Sequence, residues 1–448
     1  MIFRTAVNSN NISNVANTEG LCYIENALLN EVNYMSKTII YHIDVNSAFL
    51  SWQACHDLFI DENALDIRTI PAVIGGSEKE RHGIVLAKSI SAKAYQIRTG
   101  EPLVNARKKC PELTVIPPNF SVYVEYSKAF IDLLQKHSPV VEQYSIDEAF
   151  CDMTGMEILH GNPVDFAHKL RDEIRDTLGF TVNIGVSTNK LLAKMASDFT
   201  KPDKVHTLFP EEIEKKLWPL PIEDLFYVGK STSKKLRLLG IKTIGELAHT
   251  DRAILKSHFK KHGEVIHDYA NGIDDGVLTD HSEPNKGYGN SVTTHYDITE
   301  RDTALRIILS LCETVGARIR ADGVYISVVS VTLVDCEFHH VSRQMTLPST
   351  TNVTERIYEA AVSLFDEAWH KVPLRLLGVS TSHASPEKYE QYNLFDMEKY
   401  EKLSNLNTAI DSIRSRFGED SVKRACFINS ETGHMSGGLQ KAKRNSKT

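Results

Sequence analysis

At 448 residues the chain is too long for one hydrophobic core and should divide into roughly two to four domains. Its 42% hydrophobic and 24% charged composition is that of a soluble globular protein. No apolar run approaches the ~20 residues of a membrane span, and seven cysteines without a C-x-x-C exclude a disulfide framework and a cysteine zinc site.

The net charge of −7 argues against nucleic acid only on average. Residues 228–262 hold nine Lys/Arg against two acidic residues, and 441–447 add four basic residues with no acidic one. Phosphate binding depends on such local patches, although a basic stretch can also be a solvated helix face.

Residues 1–34 are polar and aperiodic, and 1–36 are expected to be a disordered extension or the product of a wrongly chosen upstream start codon. No basic apolar signal pattern is present, so the chain is expected to stay in the cytoplasm. "TIIYHI" reads as a strand ending at Asp44, 48–60 as a helix, and 66–110 as short strands and polar turns. Val122, Tyr126, Phe130, Leu133 and Leu134 share one helical face. "QYSIDEAFCDMTG", 143–155, reads as a hairpin that carries Asp147 and Glu148 between two apolar runs.

"DFAHKLRDEIRDTLG" reads as a helix stopped by Gly179. "FTVNIGV" alternates, with Phe180, Val182, Ile184 and Val186 on one face, and "STNKLLAKMASDF" opens a helix with Ser187 as its cap. With the 50–110 insertion set aside, this is a ferredoxin-like βαββαβ order. Residues 203–270 read as short helices, and "NGIDDGVLTDHSEPNK" as a linker. A second strand–helix–strand–strand–helix–strand series then runs to about 384, its first helix opening with Thr299 and Asp302 at capping-box spacing. From 385 onward the chain is polar, weakly helical in part, and basic at its tip.

In a sheet of the first kind the opening strand lies beside the hairpin, so Asp44 and Asp147 can approach each other. Close carboxylates repel unless a cation neutralises them. Mg²⁺ prefers oxygen ligands and needs few of them. Neighbouring strand residues face opposite sides, so Asp147 and Glu148 share a site only if the chain bends between them. A third carboxylate would let a second metal bind about 4 Å from the first, as in phosphoryl transfer. The competing reading is a solvated acidic turn.

"HIDVNSAFLSWQA", "YSIDEAFCDMTG" and "NIGVSTNKLLAKMASDFTKP" resemble, in order and rough spacing, the three signature segments of the Y-family translesion DNA polymerases. The resemblance spans about 37–396. The "DVN" form, and a lysine where the DNA polymerase IV branch carries an arginine, resemble the UmuC-like ImpB/MucB/SamB branch.

The resemblance implies an α+β, multidomain right-hand polymerase. Its parts would be a ferredoxin-like palm (37–49 and 111–202), small fingers (50–110), a helical thumb (203–276), a linker (277–286), a ferredoxin-like little finger (287–384) and a tail (385–448). Asp44, Asp147 and Glu148 match the family's catalytic metal ligands, with the Val45 carbonyl beside them, for two Mg²⁺ ions. Phe49 matches the aromatic under the incoming sugar, or is a core aromatic. Lys190 matches a basic residue that reaches the triphosphate, or is a surface lysine at a helix start. Lys93 matches a triphosphate contact in the fingers, although Ile90 stands where the family usually has an aromatic.

"FYVGKSTSKKLRLLGIKTIGEL" resembles a helix-hairpin-helix that would offer Gly229, Lys230, Lys234 and Lys235 to DNA phosphates, with Lys230 and Ser231 where a second glycine often lies. "QYNLFD", 391–396, resembles the peptide that holds a sliding clamp, with Gln391, Leu394 and Phe395 as anchors, or is a loop packed on its own domain. The implied partners are primer–template DNA, dNTPs and the clamp, with an SOS accessory protein as a candidate and no membrane. The implied function is error-prone translesion synthesis. A palm-fold nucleotide cyclase and a catalytically inactive DNA-binding repair factor are the alternatives, and the intact carboxylate trio argues against the second.

Overall fold

The computed structural model describes residues 38–77, 81, 83–280, 284–389, 397–428, 430 and 432–436. The expected N-terminal extension and the clamp-type segment with Gln391, Leu394 and Phe395 lie outside the described residues.

The first half holds β1 (Ile40–Val45), β2 (Ala72–Gly75), β3 (Val85–Lys88), β4 (Thr114–Ile116), β5 (Val140–Gln143), β6 (Glu148–Asp152), β7 (Val182–Ser187) and β8 (Val205–Thr207). The main sheet runs β5-β6-β1-β7-β8, antiparallel except for the β7–β8 pair. Without the added β8, the strands stand second, third, first, fourth, the ferredoxin-like arrangement expected from the element order.

Alternation divides β1 between two layers. Tyr41, Ile43 and Val45 join the core under helices Ala48–Ile60, Phe120–Leu134 and Pro163–Leu178, with Trp52, Phe130 and Ile174. His42 and Asp44 take the opposite face. β7 departs from the expected alternation, because all six of its residues are buried. The reason is the helix Lys190–Ser197, which lies so close that a Cβ on Gly185 would stand 1.9 Å from the Ala193 carbonyl oxygen. That helix is capped by Asn189, which accepts from the Leu192 N–H at 2.8 Å, and not by Ser187, whose hydroxyl instead donates to the Leu208 carbonyl.

Two strands of the 50–110 region and β4, which lies just past it, form a separate three-stranded sheet, β3-β2-β4, over a small core with Val73, Ile97 and Leu103. The basic segment folds as helices Lys230–Leu238, Ile244–Ala248, Arg252–Phe259 and Lys261–Ala270. Gly240, at φ 86°, turns the chain after the first of these, and Thr243 with Glu246 forms a capping box at the second. Leu236, Ile244 and Leu255 share their core with Leu192 and Met195, so this segment is packed against the helix over the main sheet.

The second half holds β9 (Gly287–Ile298), β10 (Ile326–Asp335), β11 (His340–Thr351) and β12 (Leu374–Ser382), in the order β11-β10-β12-β9 and antiparallel throughout. Helices Arg301–Ala321 and Thr354–Ala368 supply Leu311, Val315, Ile357 and Phe365 to its core. The expected Thr299–Asp302 box does not form, since the helix starts one residue later, after Glu300, with no side-chain cap.

The tail is far more ordered than its composition suggests. Helix Met397–Phe417 lies on those two helices through a polar seam. Glu313, buried in the seam, accepts from Arg414 at 2.8 Å and from Arg424 at 2.5 Å, and Arg320 pairs with Asp411. Asn407, also buried, accepts from the Thr354 N–H at 2.9 Å. A seam built from such groups leaves no apolar stripe to read in the sequence. No helix among the described residues is long and apolar enough to cross a membrane.

Candidate active site

The β1–β6 register sets Asp44 directly opposite Glu148. Asp147 lies in the bend just before β6, where its carbonyl accepts from the Val45 N–H at 3.0 Å. The bend is held from inside: the Tyr144 and Ser145 N–H groups both donate to the Glu148 carbonyl, and the Ser127 hydroxyl donates to the Ile146 carbonyl. Ser145 Oγ donates to Asp147 Oδ1 at 2.7 Å and accepts from the Asp147 N–H at 3.2 Å. The chain therefore turns between Asp147 and Glu148, which lifts the strict alternation that would have sent them to opposite faces.

Two ammonium groups stand against this acidic edge. Lys201 Nζ lies 3.0 Å from Asp44 Oδ1 and 2.8 Å from Asp198 Oδ1. Lys194 Nζ lies 3.0 Å from Glu148 Oε2, over the rings of Tyr144 and Phe226. Burial pushes Asp44 up to about 7, against the pull of Lys201 and with the push of Glu148. His42, fully buried beside Phe150, is held well below the ordinary imidazole value by burial and then by Lys194 and Lys201.

Lys201 is placed by an amide brace. Asn46 accepts from the Asp203 N–H at 2.9 Å and from Thr181 Oγ1 at 3.0 Å, and its own amide donates to Asn183 Oδ1 at 3.2 Å. Asn183 in turn donates to the Ser197 and Thr200 carbonyls. The "DVN" asparagine thus ties the end of β1 to the 198–203 turn.

The all-oxygen chemistry of Asp44, Asp147 and Glu148 suits a hard divalent cation, and the two ammoniums mark an edge that already takes positive charge. The three carboxylates are nevertheless not drawn together here. Asp147 is engaged with Ser145, and among the described residues no three His, Cys, Asp or Glu groups meet as a metal-ligand set.

The other expected residues are spread around this edge. Phe49 is half-buried and stacks on Tyr123, 4.6 Å between centroids and 9° between planes. Lys93 is exposed on the short helix Ile90–Ala94, and burial together with Lys93 holds the nearby Lys88 below its usual range, so like charges gather there. Gly229 is the N-cap residue of helix Lys230–Leu238 and has open space around it. Lys230, Lys234 and Lys235 are exposed and make no ion pair among the described residues, whereas Arg237 is taken up by Glu223.

Lys190 is paired elsewhere on the sheet. Its Nζ lies 2.6 Å from Glu142 Oε1 on the edge strand β5, and it is not brought to the three carboxylates. Lys194, one turn further along the helix, and Lys201, beyond its end, occupy that place. Both stood in the quoted segment "LLAKMASDFTKP", and the lysine before Pro202 was the available signal. Helical phase alone could not say which lysine reaches the sheet, because the close approach at Gly185 sets it.

The chain is similar to known proteins along most of its length. The impB/mucB/samB family matches residues 43–198, its C-terminal domain residues 285–394, and the IMS family HHH motif residues 210–241. The chain is 44% identical to DNA polymerase IV of Clostridium acetobutylicum, over 89% of this chain and 100% of that one. It is 36% identical to DNA polymerase IV of Clostridium kluyveri, over 87% and 98%. A solved Y-family DNA polymerase chimera superposes with a TM-score of 0.64 at 20% identity, covering 77% of this chain and 98% of the other. The three matched ranges fall, in chain order, on the first sheet unit, the start of the basic helical segment and the second sheet unit, and the chain belongs to the impB/mucB/samB family of Y-family DNA polymerases.

Proposed function

We propose that this Y-family DNA polymerase carries out error-prone translesion synthesis, extending a primer 3′ hydroxyl with deoxynucleotidyl groups from dNTPs. The observation that carries the reading is the facing pair Asp44 and Glu148, with Asp147 on the adjoining bend. These three and the Val45 carbonyl would hold two Mg²⁺ ions, which when bound supply polarisation of the attacking hydroxyl and stabilisation of the leaving pyrophosphate.

The remaining roles belong to the chain itself. Lys201 takes the triphosphate role first expected of Lys190, since its ammonium already stands at Asp44. Lys93, in a cluster of like charge, meets the same phosphates from the fingers. Phe49, fixed by Tyr123, offers a flat wall that leaves no room for a 2′ hydroxyl. The open first turn after Gly229, with Lys230, Lys234 and Lys235, grips DNA phosphates without reading sequence. Residues 37–49 and 111–202 act as palm, 50–110 as fingers, 203–276 as thumb and 287–384 as little finger. Gln391, Leu394 and Phe395 tether the enzyme to a sliding clamp, an SOS accessory protein is a candidate partner, and the enzyme works in the cytoplasm.

Primer extension with Mg²⁺ on undamaged and abasic templates tests the reading. The parent should extend both, and Asp147→Asn should extend neither while binding DNA as well as the parent does. Extension by Asp147→Asn at ordinary Mg²⁺ would overturn the site.

A further inference from the structure

Behind Glu148 lies a buried acceptor to which the polymerase reaction gives no role. His42 is fully buried, and its Nε2 has no hydrogen-bond partner. The tautomer is assigned from its neighbour: with Ser197 Oγ donating to the Lys194 carbonyl at 2.8 Å, His42 Nδ1, 2.7 Å away, is the donor to Ser197. Nε2 therefore carries a lone pair. It faces Glu148 Oε2 at 3.9 Å, and that same oxygen accepts from Lys194 Nζ at 3.0 Å.

A buried lone pair turned towards a carboxylate oxygen is unfavourable on both sides. The arrangement is relieved if Lys194 gives up Glu148. Its ammonium is almost fully enclosed, and Nε2, which faces the same Glu148 oxygen, is a buried acceptor with none of its capacity used.

We propose that His42 is a positioning residue, whose Nε2 receives the Lys194 ammonium when a divalent cation draws the Glu148 carboxylate away. The device rests on the metal-binding reading of Glu148. Lys194 then neutralises Glu148 in the cation-free protein without having to be stranded when the cation arrives. Ser197, by fixing the tautomer, keeps Nε2 an acceptor.

The test is a double-mutant cycle on the full chain bound to a dideoxy-terminated primer–template, titrated with Mn²⁺ while free ion is counted by electron paramagnetic resonance. His42→Phe keeps the ring against Phe150 and removes the acceptor. It should weaken Mn²⁺ binding by about tenfold, the worth of one charge-assisted hydrogen bond. His42→Asn, which can restore an acceptor, should recover part of that loss and serves if the phenylalanine variant does not fold. In a Lys194→Met background the His42 substitutions should change Mn²⁺ affinity by less than about twofold, because the donor is gone. Equal effects of His42→Phe or His42→Asn with and without Lys194 would overturn the device while leaving the metal reading intact. A parent that binds no Mn²⁺ beyond its Asp147→Asn variant would overturn both.

Discussion

Lys201 Nζ stands 3.0 Å from Asp44 Oδ1, while Lys190 Nζ is held 2.6 Å from Glu142. The two lysines sit on the same short stretch of chain, yet only one meets the acidic edge. The turn braced by Asn46 and Asn183 carries Lys201 back over the end of β1. Lys190, at the start of the preceding helix, points to the sheet's outer strand.

Substitution should separate them. Lys201→Met is expected to lower single-turnover extension by roughly 10²-fold, the usual loss of one preorganised charge contact at a reacting centre. Lys190→Met should stay within about threefold, with a small loss of stability from the unpaired Glu142. Rapid-quench kinetics on one template checks both, and the reverse ranking would return the triphosphate role to Lys190.

Phe49→Ala should admit ribonucleotides. Its ring is fixed by Tyr123, so it cannot swing aside for a 2′ hydroxyl. Discrimination, taken as the ratio of kcat/KM for dNTP and rNTP, is expected to fall at least about tenfold, or ~1.4 kcal/mol. An unchanged ratio would make Phe49 a packing residue only.

Lys234→Glu with Lys235→Glu should weaken DNA binding by a similar factor on every sequence. It should also flatten the dependence of log affinity on log salt by roughly one for each phosphate that is no longer neutralised. Fluorescence anisotropy at several salt concentrations measures both quantities. Weakening confined to particular sequences would contradict the phosphate role.

Glu313→Gln should loosen the C-terminal helix. The change strands the Arg414 charge in a buried seam, for an expected cost of ~3 kcal/mol or more. Burial pushes the Glu313 carboxyl up, but Arg424 and Arg414 outweigh it and hold the group below its usual range. A folded-state value below the unfolded one means that the stabilisation is complete above about pH 4.3 and is lost as pH falls. Urea melts across that range, with hydrogen exchange on Met397–Phe417, should show a pH-dependent loss in the parent that the variant lacks.

Much of this protein could be read directly along the chain, because the governing interactions are local. The apolar run ending at Asp44, the helical face from Val122 to Leu134, the stop at Gly179 and the basic run from Lys230 each depend on residues a few positions apart. The acidic pair at 147–148 was legible for the same reason, since a hairpin bend is a short-range event. What the tertiary structure alone decided is which charges meet. Lys194 reaches Glu148 because Gly185 lets a helix lie on the sheet, and Lys201 reaches Asp44 because two buried amides fold the 198–203 turn back on β1. The ordered tail, too, depends on polar groups distant in the chain, Glu313 meeting Arg414 and Arg424 about a hundred residues further on. Periodicity reports burial of apolar surface. It carries no information on buried polar groups, whose partners are chosen by geometry across the fold.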